Sequence, residues 1–149
     1  MLSVCRRYVK TTEDAEEVLS NGFVKVFNNI NSFEGKGSFE GWIRRIMVNE
    51  ALNYIRYQKN LFVESGEDYL EHSHDTVHDD GDTEELMLLI DRLPIGYRTV
   101  FNLYAIEGYG HKEIAEMLDI SEGTSKSQLS KARKMLQDRI SRNEYLYKP

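Results

Sequence analysis

The chain has 149 residues, 40% of them hydrophobic and 30% charged, with a net charge of −6 and one cysteine, Cys5. That length holds one ordinary domain or two small ones, no apolar run is long enough to span a bilayer, and a lone cysteine excludes an internal disulfide framework and suits a reducing cytosol. Arg6 and Arg7 stand where a secretory signal needs its apolar stretch, so a cytoplasmic protein without membrane insertion is expected.

Met1 to about Lys10 reads as a short helix, with Cys5 packed among Leu2, Val4 and Tyr8. Thr12 then caps a longer helix whose start carries Glu13, Asp14, Glu16 and Glu17, the charge sign that a helix N-terminus favours. Ala15, Val18, Leu19, Phe23, Val26, Phe27 and Ile30 recur at helical spacing and are assigned to the core. Asp14, Glu17, Asn21 and Val24 share the opposite face, where the apolar Val24 hints at a partner surface.

The loop NSFEGKGS follows, and its Gly35 and Gly37 permit a sharp turn. It lacks the Lys-Ser/Thr ending of a nucleotide-binding P-loop. Ser38 caps a helix from Phe39 to about Asn60, with Phe39, Ile43, Met47 and Ala51 on one side. Trp42, Arg45, Asn49, Asn53 and Arg56 line another side, with Tyr54, Tyr57 and Lys59 nearby. Such a surface suits single-stranded DNA, because cations track phosphates while rings stack on exposed bases. Alone this signal is weak, because Trp and Tyr on a helix are more often core.

Residues 61–85 hold ten Asp/Glu and no Lys/Arg, so removing their −10 from the chain's −6 leaves +4 for the remainder. Little apolar periodicity and many like charges describe an extended, flexible linker. His72, His74 and His78, among Asp75, Asp79 and Asp80, are metal-ligating residue types. An open acidic linker gives them no rigid scaffold, so a metal-dependent enzyme is disfavoured and no metal or other cofactor is expected. From Ser121 onward seven Lys/Arg stand against three Asp/Glu. Local field decides where a phosphate backbone is drawn, so the acidic total does not exclude nucleic acid.

Within Leu93–Leu136, HKEIAEML forms a short helix with Ile114, Ala115 and Leu118 inward, and Asp119 and Ile120 break it. The break favours Gly, but Asp tolerates a left-handed backbone better than most residues. Ser121 is a good N-cap for a second helix. Along it Leu129, Ala132 and Leu136 make an apolar stripe opposite Lys126, Ser127, Ser130, Lys131 and Lys134. This helix-turn-helix suits the DNA major groove, though spacing alone leaves open a solvated helix in an ordinary bundle. The expected fold is all-α: two small helical domains, 1–60 and 86–140, joined by the acidic linker 61–85 and followed by a tail, 141–149.

Two long stretches together carry a resemblance. DAEEVLSNGFVKVFNNINSFEGKGSFEGWIRRIMVNEALNYIR is similar to the polymerase-binding, promoter-melting helices of bacterial RNA polymerase sigma factors of the extracytoplasmic-function group. LPIGYRTVFNLYAIEGYGHKEIAEMLDISEGTSKSQLSKARKML is similar to that family's promoter-reading domain. The resemblance implies a binding subunit rather than an enzyme, with RNA polymerase core, promoter DNA and an anti-sigma factor as partners. By it, Asp14, Glu17, Asn21 and Val24 dock on the β′ clamp helices. Phe33, Glu34, Gly35, Lys36, Gly37 and Ser38 hold a base flipped from the minus-ten non-template strand, and Trp42, Arg45 and Asn49 meet that strand. Lys126, Ser127, Ser130 and Lys131 read the minus-thirty-five element, while Arg98, Lys112 and Lys134 contact phosphates.

The chain departs from the family pattern at several places. Ser20 and Asn21 replace Gln and an acidic residue, Ser125 replaces an apolar residue, and Gln128 replaces Arg. The match begins at Met1 partway through the family's first helical segment, so an N-terminally incomplete first half is expected. The rival reading is a stand-alone helix-turn-helix regulator, which leaves the Trp42–Asn49 face and the glycine loop unused.

Overall fold

The computed structural model describes residues 1–65 and 82–146, all of whose regular structure is helical. The chain divides into two compact units, Met1–His74 and Asp75–Pro149.

The first unit packs three helices against one another: α1 (Leu2–Arg6), α2 (Thr12–Asn28) and α3 (Phe39–Ser65). Its core comprises Val4, Cys5, Tyr8 and Val9, then Ala15, Val18 and Val26, then Met47, Val48, Ala51 and Leu52. α1 ends at Arg6 rather than near Lys10. The amides of Arg7 and Tyr8 reach back three residues, to Val4 (3.3 Å) and Cys5 (3.0 Å), which tightens the last turn and carries Tyr8 and Val9 inward. The cap of α2 is Thr11, not Thr12: Thr11 is extended (φ −104°, ψ 159°) and its Oγ1 accepts from the Asp14 amide at 3.0 Å. Two adjacent threonines offer the same chemistry, and the chain's approach selects the first.

The inward face of α2 is Ala15, Val18, Gly22 and Val26, at i, i+3, i+7 and i+11. Gly22 suits this place because Met47 of α3 fills the space beside it; a Cβ at Gly22 would collide with Met47 Sδ. With that narrow face settled, Phe27 and Ile30 are not core as expected but 70% and 43% exposed. Phe39, also assigned inward, is 43% exposed, because α3 turns Met47, Val48, Ala51 and Leu52 toward its neighbours.

The second unit holds α4 (Asp82–Asp91), α5 (Ile95–Phe101) continuing through one π-helical turn (Asn102–Ile106), α6 (His111–Leu118) and α7 (Glu122–Leu146). Leu89, Ile90 and Leu93 bury against Ala132 and Leu136 of α7, with Tyr97, Phe101 and Met135 packed around them. Two arginines complete α4. Arg139 of α7 donates to the carbonyls of Leu89 and Arg92 (both 3.2 Å), and Arg98 donates to that of Asp91 (2.9 Å). Carbonyls at a helix C-terminus lack intrahelical partners and attract cations.

α3 and α7 run past their expected ends. No Gly or Pro falls between Trp42 and Ser65, or between Thr124 and Leu146, and like charge alone does not stop a helix. Leu61–Ser65 and Asp82–Glu85 of the anticipated linker, and Ser141–Leu146 of the anticipated tail, are therefore helical. His72, His74, His78, Asp75, Asp79 and Asp80 lie outside the described residues, as does the side chain of Lys59.

Candidate nucleic-acid interface

The break between α6 and α7 is built from three local bonds. Asp119 is the only non-glycine residue with positive φ among the described residues (φ 54°, ψ 51°). The Ile120 amide reaches back to the Ala115 carbonyl at 3.0 Å, closing the end of α6 in the manner that left-handed residues allow. Ser121 Oγ then accepts from the Thr124 amide at 3.0 Å and starts α7. At the other end of α6 the Glu113 carboxylate accepts from the Gly110 amide at 2.9 Å.

α7 is thereby aimed with Ser125, Leu129, Ala132 and Leu136 inward. Lys126, Ser127, Ser130, Lys131 and Lys134 are all exposed, as is Lys112 on the first turn of α6. Lys131 Nζ sits 6.0 Å from the centre of the Tyr97 ring. A shallow open groove runs along this face, lined by His111, Lys126, Ser130, Arg133, Lys134 and Gln137 among others. Arg133 was not singled out in the sequence. It is exposed, and its guanidinium lies 5.6 Å over the Tyr104 ring. Its spacing of seven from Lys126 places it on the groove and was the available signal.

Arg98 does not belong to this face. It is 3% exposed and spends its guanidinium on α4, so the expected phosphate contact is corrected to a structural role. Gln128 is half-buried beside Gly96, where a Cβ would lie 3.1 Å from its Oε1.

In the first unit, Gly35 (φ 70°) and Gly37 (φ 81°) bend the loop before α3, with open space around both. Glu34 and Lys36 pair across the turn at 2.6 Å in full exposure to solvent, a contact of little energetic worth. Ser38 Oγ accepts from the Gly41 amide (3.2 Å) and starts the helix. Three rings gather there: Phe33 meets Phe39 edge-on at 5.1 Å, Phe33 meets Trp42 at 5.6 Å, and Phe39 stacks on Trp42 at 5.8 Å. Phe39 therefore joins Phe33 and Trp42 in an aromatic platform beside the glycine bend. Arg45, Asn49, Asn53, Arg56 and Tyr57 continue as exposed residues along α3.

Tyr54 is diverted from that surface. Its hydroxyl donates to Asp14 Oδ1 at 2.7 Å and accepts from Gln58 Nε2 at 2.9 Å. Burial, followed by the hydrogen bond to Asp14, pushes its pKa up to about 12. Asp14 is half-buried at this contact, while Glu17, Asn21 and Val24 are exposed on α2. The exposed Phe27, one turn beyond Val24, enlarges the apolar part of that face.

Residues 1–61 match the Sigma-70 region 2 family and residues 83–136 match Sigma-70, region 4. The chain is 32% identical over 148 residues to the ECF RNA polymerase sigma-E factor of Haemophilus influenzae, covering 90% of this chain and 78% of that protein. The chain belongs to the ECF sigma factors. The sigma-E factor of Escherichia coli K12 is 29% identical to it over 152 residues, covering 93% of this chain and 79% of that one. Among solved structures, the sigma factor is similar in fold to RpoE of Bartonella quintana, seen in complex with the anti-sigma factor NepR. The TM-score is 0.64 at 20% identity, over 94% of this chain and 89% of that one. CnrH, in complex with the cytosolic domain of CnrY, gives a TM-score of 0.53 at 20% identity, over 94% and 79%.

Proposed function

We propose that this sigma factor carries RNA polymerase core to promoters by dividing the work between its two units. The face of Glu17, Asn21, Val24 and Phe27, with Asp14 at its border, docks on the β′ clamp helices. The Phe33–Phe39–Trp42 platform and the Glu34–Ser38 bend receive an unpaired minus-ten base, with Arg45 and Asn49 beside the strand. The α7 face of Lys126, Ser127, Ser130 and Lys131 reads the minus-thirty-five duplex, and Lys112, Arg133 and Lys134 hold phosphates.

The energetics favour a helper rather than a machine. Unstacking duplex DNA costs roughly 1.4 kcal/mol per step, and an aromatic platform returns about 1–3 kcal/mol per captured base. A few captured bases bias melting, and the polymerase supplies the remainder together with the phosphodiester chemistry. The protein works in the cytoplasm; no helix among the described residues is long and apolar enough to cross a membrane. An anti-sigma factor is the proposed regulator.

What supports this reading above all is a region 2 half followed by a region 4 half in one chain. A stand-alone regulator has no use for the first. Run-off transcription with purified core polymerase decides between them: promoter-specific transcripts are expected only when both proteins are present. Equally tight promoter binding without polymerase would instead identify a regulator. Trp42→Ala is expected to reduce permanganate reactivity of promoter thymines while leaving polymerase binding intact. Lys131→Ala is expected to weaken duplex recognition by roughly 1–3 kcal/mol with docking spared, measured by competition against wild-type holoenzyme.

A further inference from the structure

Ser125 is out of place by composition. It is wholly buried on the inward stripe of α7, where Leu129, Ala132 and Leu136 are its companions. A buried hydroxyl without a partner is costly, and this one has a partner: Ser125 Oγ and His111 Nδ1 share a hydrogen bond of 2.8 Å. His111 opens α6, and its ring stacks on Tyr104 of the π-helical turn, with centroids 4.7 Å apart and planes 21° from parallel. Tyr104 in turn lies under the Arg133 guanidinium. One imidazole thus joins three elements, and the chain of contacts touches α7 twice: at buried Ser125 and, eight residues on, at exposed Arg133.

Two attachments so spaced, about 12 Å apart along the axis, fix both the roll and the slide of a helix. The apolar stripe does not do this alone, because hydrophobic burial is non-directional, whereas hydrogen bonds weaken steeply off axis. We propose that His111 is a positioning residue for α7, setting through Ser125 and Tyr104 the aim of Lys126, Ser130 and Arg133 at DNA. The inference deepens the reading of α7 as the minus-thirty-five reader and rests on it.

The test measures discrimination rather than affinity. Full-length sigma factor with core polymerase is given a minus-thirty-five duplex that the wild-type holoenzyme has selected from a random pool, and the same duplex with that element scrambled. Partial unfolding lowers binding to both alike and cancels in the ratio; a misaimed helix lowers the ratio itself. His111→Ala and Ser125→Ala are each expected to cut the ratio roughly five- to tenfold, since losing a well-aimed base contact weakens discrimination by at least that much. The double variant should lose no more than His111→Ala alone, because Ser125 acts only through the imidazole of His111. His111→Asn, whose amide sets a polar atom where Nδ1 stands but carries no ring to stack on Tyr104, should restore the share of the ratio that Ser125→Ala loses. An unchanged ratio with a lowered melting temperature would reduce the bond to ordinary packing and overturn the proposal. Failure of Asn to rescue would overturn the hydrogen bond as its basis. A wild-type holoenzyme with no preference between the duplexes would overturn the underlying reading, and the proposal with it.

Discussion

Gly22 and Met47 show how one side chain decides another. The thioether of Met47 occupies the space that any larger residue at position 22 needs, and Met47 is fully buried. Gly22→Ala gains about 1 kcal/mol of helix propensity but forces Met47 from its rotamer, at about 1–3 kcal/mol. A net loss of about 1 kcal/mol is expected in urea unfolding, and a Met47→Val background should relieve it. Tyr54 gives a second measurement. Its pKa is raised above the ordinary value of 10.0 to about 12, so its contribution to stability is complete below pH 10 and disappears as pH rises through about 12. Tyr54→Phe should flatten that alkaline limb in thermal melts. The sequence displayed both tyrosine and aspartate, forty residues apart, but their meeting depends on how α2 crosses α3.

At the scale of elements, what was legible had local causes. Ser121, Ser38 and Asp119 are readable because each satisfies or bends its own few residues of backbone. The Lys/Ser face of α7 and its apolar stripe follow from period alone. Arg98 was misread because its role is tertiary: it sits on a helix beside a DNA-reading module, yet its partner is the end of α4. Phe27 and Ile30 were misread because an apolar residue on a helix is inward only if a neighbour is there to meet it. Arg98→Ala is accordingly expected to lower the stability of the second unit. It should leave the salt dependence of promoter binding unchanged, whereas Lys134→Ala should reduce that slope by about one. A salt titration of binding to a promoter duplex by the holoenzyme separates the two.

Over the whole molecule, two units with separate cores imply two separable unfolding events. Calorimetry of the full chain should show Gly22→Ala lowering one transition and Arg98→Ala lowering the other, with little crossover. Within the acidic stretch 61–85, residues 61–65 belong to α3 and residues 82–85 to α4. An acid-rich composition describes how a segment meets water, not where its hydrogen bonds stop. α7 itself is a rod of 25 residues, about 37 Å long at 1.5 Å per residue. Its early turns face the groove, and its later ones grip α4 through Arg139. The polypeptide just ahead of α4 is thus tied, through α4 and Arg139, to the same unbroken helix that carries Lys126, Ser130 and Lys131.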